Sequence, residues 1–169
     1  MSTREITLRI AGIEGIHLDN LLAQLTAAIA ASEEKPDPAV ARFTPTPYPE
    51  DPAAAEEFTT ATRDELLDRR AADAAVVREA LAPHLPTDDE SGDEPPEHID
   101  IIIRHRDLDA WLRALNALRL VIATRLGITT DEIPGDSADP RSAVYDWLAY
   151  RLDGLIAIAD ATDEAEDGS

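Results

Sequence analysis

The chain contains no cysteine, which excludes disulfides, thiolate metal sites, cysteine nucleophiles and any thiol redox switch within it. Aromatic residues are scarce, at 4% against 44% hydrophobic residues in total. The core must therefore be built from Leu, Ile, Val and Ala, a balance that favours helix-on-helix packing over a β-sandwich. No apolar run approaches the roughly 20 residues of a membrane span. The opening residues, Met1 to Glu5, lack the charged-then-apolar order of a signal peptide. A cytoplasmic protein is the expectation.

Positive charge is also in short supply. The formal net charge is −20, and Lys35 is the sole lysine. A polyanion repels nucleic-acid phosphates, because that affinity comes largely from Lys and Arg displacing counterions. Anionic lipid surfaces are disfavoured for the same reason. Arg104, Arg106, Arg113, Arg119 and Arg125 lie close in sequence, yet they do not share one helical face and acids surround them. Direct nucleic-acid binding and membrane binding are both expected to be absent.

At 169 residues the chain suits one domain with a sizeable core. Its organising stretch is Leu108 to Ile128. Leu108, Trp111, Leu112, Leu115, Leu118, Ile122 and Leu126 recur at spacings of three and four, one helical face. Leu120 and Val121 widen the stripe, which predicts burial on more than one side. Asp107 can cap its start and Gly127 stands where a helix commonly ends.

Earlier, residues 5 to 11 alternate polar and apolar as a half-buried strand, with Ile6, Leu8 and Ile10 on one face. Gly12 and Gly15 read as a turn; no Lys-Ser/Thr follows to make a phosphate loop. A helix beginning at His17 carries a stripe of Leu18, Leu21, Leu22, Leu25 and Ile29 and stops before Pro36 and Pro38. Six prolines between 36 and 52 predict an extended segment lying over the core, anchored by Phe43 and Tyr48. Asp51-Pro52 starts a further helix towards Ala82, with a break near Thr59 to Thr62 and a capping box at Thr62-Arg-Asp-Glu65 that restarts it. Its apolar side is Leu66, Leu67, Ala71, Ala74, Val77 and Leu81, while Asp64, Arg69, Arg70, Asp73, Arg78 and Glu79 read as a solvated ion-pair face.

Residues 86 to 97 hold no apolar residue outside proline and read as a mobile acidic loop without the EF-hand spacing. His98 to His105 is β-branched and short, a second strand whose natural partner is the first. A last helix starts near Pro140, its stripe being Val144, Trp147, Leu148, Leu152, Leu155, Ile156 and Ala159. The fold expected is mainly α, a four- or five-helix domain with a short two-stranded antiparallel β-ribbon. It spans residues 1–160, and 161–169 form a disordered acidic tail.

Catalytic motifs are missing. His17, His84, His98 and His105 show no metal-ligand spacing, and no Gly-x-Ser-x-Gly elbow, Walker loop or dinucleotide fingerprint occurs. His98 and Asp100, on one strand face, are the single weak metal pair. Paired acids are uninformative among 35 carboxylates. Asn116, inside the most apolar helix, is expected to be buried with hydrogen-bond partners in a structural role. The residues thus predict no enzyme, no cofactor and no resident metal.

Three segments carry a resemblance: Ala41 to Phe58 with Thr62 to Leu66; Trp111-Leu-Arg-Ala-Leu-Asn116 running on to Ile128; and Asp139 to Leu155 around Tyr145-Asp-Trp147-Leu. In this order they resemble an actinobacterial family long labelled a domain of unknown function, some of whose members are called oxidative-stress transcriptional regulators (AosR). The composition, rich in Ala, Arg and Asp and poor in Lys, fits a GC-rich actinobacterial source. The resemblance implies a cytoplasmic regulator that senses oxidative stress through cysteines and works with a sigma factor and RNA polymerase. With no cysteine here, a disulfide switch cannot operate within this chain. A protein-binding role remains compatible with −20, since polymerase and sigma surfaces that hold DNA are basic. Trp111, Arg113, Asn116, Arg119, Tyr145 and Trp147 are the candidates for a protein-binding or structural role, and an apolar patch on the helices would serve a homodimer. Two alternatives stay open: an adaptor of cytoplasmic Clp-type proteolysis, and a small-ligand-binding domain or enzyme using a pocket between the helices.

Overall fold

A computed structural model describes residues 5–44, 50–87, 94–128 and 138–167, with side chains as far as residue 161. The chain is a mainly α domain with a two-stranded ribbon. Its elements are β1 (Glu5–Ile10), α1 (Gly12–Ala31), α2 (Pro38–Ala41), α3 (Pro52–Leu81), β2 (Ile99–Arg104), α4 (Leu108–Leu126) and α5 (Pro140–Asp167). Short 3-10 turns extend α3 at its end and lead into α4.

The strands pair antiparallel, Ile6 opposite Ile103, Leu8 opposite Ile101 and Ile10 opposite Ile99. Period-two alternation puts these six on one face, and Ile10, Ile99, Ile101 and Ile103 are buried there. The ribbon thus gains the packing that a bare hairpin lacks. Around it, α3 packs against both α1 and α4, α5 lies along α4, and the short α2 rests on α4. Burial follows the predicted stripes. Leu18, Leu22, Leu25 and Ile29 come from α1; Leu67, Ala74, Val77 and Leu81 from α3; Leu108, Trp111, Leu115, Leu118 and Ile122 from α4; Leu148, Leu152 and Leu155 from α5.

Several local expectations are corrected. Gly12 and Gly15 are not a turn but the first turn of α1, which starts five residues before His17. Gly12 is there because the Pro96 carbonyl lies where a Cβ would stand, and its N–H donates to that carbonyl at 3.0 Å. The proline-rich segment is not simply extended. Pro38 opens a one-turn helix behind Asp37, whose carboxylate accepts the Ala39 N–H at 2.8 Å. Phe43 is buried as an anchor, whereas Tyr48 lies outside the described residues.

Asp51 caps α3 by accepting the Ala54 N–H, as the start signal implies. No break follows. Thr62 donates its hydroxyl to the Phe58 carbonyl one turn back, so its side chain is satisfied inside a continuous helix rather than capping a new one. Asp107 precedes α4 without capping it. A 3-10 turn makes the entry, and the carboxylate lies 3.7 Å from Arg106. Gly127 ends α4 in the left-handed region at φ 74°, with its N–H returning to α4 carbonyls. Ile156 faces outward, and α5 continues to Asp167. Of the acidic loop, residues 88–93 lie outside the described residues, and its end is held where Pro96 accepts the Gly12 N–H.

Leu115 is 1% exposed at the centre of α4. Leu115→Asp should place an uncompensated charge in the core and unfold the domain. Circular dichroism on heating checks this; a melt close to wild type would show that the site is not core.

Candidate functional site

The residues singled out on α4 and α5 do not form one site. Trp111 is fully buried and serves the core, its indole N–H finding no acceptor among the described residues. Arg113 leaves α4 on another side and forms a bidentate pair with Asp73 of α3, both contacts at 2.9 Å. Asp73 is therefore not on a solvated face; it is 5% exposed. Its position seven residues after Leu66 and four before Val77 puts it on the stripe side of α3, a signal the sequence does contain, although the partner Arg113 is not legible there. Asn116 is exposed, contrary to expectation. One helical step from Leu115 is about 100°, which turns it away from the core face. Arg119 and Tyr145 do come together: the guanidinium stacks on the ring at 4.7 Å and joins α4 to α5.

His98 and Asp100 do not make a metal pair. His98 precedes β2 and lies beside Glu97, while Asp100 is engaged bidentately by Arg9 at 2.7 and 2.8 Å across the ribbon. Hydrogen bonding from Arg9 holds the Asp100 carboxyl below its ordinary value, with the nearby guanidinium and histidine charges adding to this. Among the described residues no group of three or more His, Cys, Asp or Glu is placed to hold an ion.

Trp147 marks the most developed feature. Its indole N–H donates to Glu14 Oε1 at 2.7 Å, and Arg151 reaches Glu14 Oε2 at 3.4 Å while lying 5.6 Å from the Trp147 ring. Glu14 Oε2 also accepts the Ala11 N–H at 2.9 Å, half of a capping box because Ala11 has no side-chain acceptor to complete it. One carboxylate thus fixes the start of α1 and ties it to α5. Sequence reasoning had no route to this contact across 133 positions. Beside it α1 and α5 line a groove of about 450 Å³. His17, Asn20, Leu21 and Gln24 line one wall, and Ala143, Val144 and Trp147 the other.

A five-helix domain closed on a central helix and carrying a β-ribbon defines the structural class. The chain belongs to the family described as Domain of unknown function (DUF2017), whose model matches residues 2–159. Among curated proteins and among solved structures nothing matches. Among the described residues no helix is long and apolar enough to cross a membrane.

Two expectations follow. The Asp100 carboxyl, a group with depressed pKa, contributes to the ribbon above its unfolded value, and that contribution is lost as pH falls through the folded one. Arg9→Gln should move its NMR titration midpoint up towards the ordinary carboxylate value, and an unmoved midpoint would refute the assignment. Glu14→Ala should lower stability by about 1–3 kcal/mol in urea unfolding, because it removes charge-assisted hydrogen bonds to the start of its own helix and to α5; a loss under about 0.5 kcal/mol would show the contact to be incidental.

Proposed function

We propose that this protein is a cytoplasmic protein-binding regulator resembling the AosR-type oxidative-stress transcriptional regulators of actinobacteria. It would act through RNA polymerase or a sigma factor without a cysteine switch of its own. The observation that carries this reading is how the cations are used. Arg9, Arg69, Arg78, Arg113, Arg125, Arg141 and Arg151 are each bound to a carboxylate within the chain. Arg70 and Arg119 stack on Phe43 and Tyr145. These arginines are thus drawn into internal contacts in a chain whose net charge is −20. Such a surface suits a basic protein partner, and the DNA-holding surfaces of polymerase and sigma factors are basic. Electrostatic complementarity of this kind sets association rate and partner choice and weakens with salt.

Affinity capture of the tagged protein from its native host should enrich RNA polymerase or a sigma factor. Binding to the purified partner should then fall at least about ten-fold between 0.1 and 0.5 M salt. Recovery of Clp components in their place would overturn this reading in favour of the proteolytic adaptor; recovery of neither would overturn both.

A further inference from the structure

The hollow beside Trp147 is one end of a longer groove. It shares Leu21, Gln24 and Val144 with a second hollow floored by Leu118, Val121 and Ile122 of α4. That hollow shares Ala28, Ala39 and Arg125 with a third, reaching Lys35 and Asp37. Together they follow α1 from Glu14 to Ala31, about 25 Å at the rise of an α-helix. Among the described residues the helices pack in the order α5, α4, α3, α1, with α4 also touching α1, and the groove runs over α4 between α5 and α1.

The α1 wall is uncharged where a surface of this chain should not be, while Glu14, Lys35, Asp37, Arg125 and Arg141 bring charge to the rest of the lining. From Asn20 to Ser32 there is no charged side chain, although 30% of the chain is charged. Asn20, Gln24, Ala27, Ala30 and Ala31 are nonetheless exposed. On the opposite wall Ser142 to Tyr145 and Trp147 to Tyr150 are equally free of charge. Charge returns at the margins. Glu33, Glu34 and Asp146 are exposed, with Lys35 offsetting one of them. The arginines of the middle hollow are already engaged, Arg125 with Asp37 and Arg141 with Asp139. A largely apolar centre whose arginines are paired within the chain, with the exposed acids Glu33, Glu34 and Asp146 beside it, has the anatomy of a protein interface.

We propose that this groove docks a basic amphipathic helix of a partner protein. Its apolar side chains enter between Leu21, Val144 and Trp147, and its Lys or Arg side chains face the acidic rim. Groove length fits four to five helical turns, roughly the reach of an i, i+3, i+4, i+7 set of anchors. A second copy of this chain is the wrong occupant, because it brings another −20 to an already acidic rim. This inference rests on the protein-binding reading above and names the partner element.

The probe is a capped Leu/Lys peptide of about 18 residues with leucines at helical spacing. Controls are the same pattern with Glu for Lys and a scrambled Leu/Lys sequence. Calorimetry with the full chain at about 0.15 M salt should show binding of the Leu/Lys helix alone, with amide shifts in residues 14–31 and 143–147. Gln24→Arg and Ala143→Arg, both at exposed positions, should each weaken it at least ten-fold while leaving the thermal melt intact. Equal binding of the scrambled peptide, or undiminished binding by both variants, would reduce the effect to bulk charge and overturn the site, as would no binding. Purified polymerase or sigma factor separates the two levels. If it binds wild type and both variants alike, the groove is wrong and the regulator stands. If it binds none while the peptide binds as expected, the regulator falls and the groove stands.

Discussion

Burial of α4 on two sides is the constraint on which the other elements depend. Trp111, Leu115, Leu118 and Ile122 fill the interior, while Ala110, Ala114, Ala117 and Ala123 are buried between and beside them. Large and small side chains alternating along one helix let α3 and α5 approach it from different directions. With few aromatics available, that interdigitation of aliphatics must supply most of the apolar burial. The ribbon then closes the end of the bundle, its three isoleucines from β2 reaching the same core as Leu18 and Leu81.

Electrostatics decides how these elements dock. A chain of −20 repels itself when compact. The pairs Asp19–Arg78, Asp73–Arg113, Asp37–Arg125, Asp100–Arg9 and Glu14–Arg151 each join two different elements. Most of these side chains are partly exposed, so each pair contributes modestly on its own. Their value is in direction, since a guanidinium fork grips a carboxylate in one geometry where an ammonium would not. The stack of Arg119 on Tyr145 does the same between α4 and α5.

This division explains what could be read from the sequence. Elements and core faces were legible, because periods of two and of 3.6 are imposed by backbone geometry and survive in any context. The ribbon, the span of α4 and the Asp51 cap all follow from such local rules. Residues whose role depends on distant partners were not. Asn116 looked interesting beside Leu115 in sequence, but adjacent helical residues point apart. Asp73 looked solvated among charged neighbours, yet Arg113 comes to it from 40 positions away. Thr62 matched a capping box that a continuous helix made redundant. The Glu14–Trp147–Arg151 contact joins the two ends of the chain and leaves no local trace.

The groove lies between these two cases, because the sequence of α1 contains half of it. Positions 20–32 are apolar or uncharged on nearly every side, a pattern that ordinarily marks a helix buried all round. The fold buries only Leu22, Leu25, Ile29 and the closing Ser32 within that stretch. Leu21, Ala23 and Ala28 are half-covered, and Gln24, Ala27, Ala30 and Ala31 face out. A helix more apolar than its own fold requires is an interface written into local sequence, and contiguity makes it informative where a single exposed leucine is not. What the sequence could not supply is the opposite wall. That wall exists because α5 follows α4, and the Trp147 and Arg151 contacts to Glu14 set where α5 departs from α1.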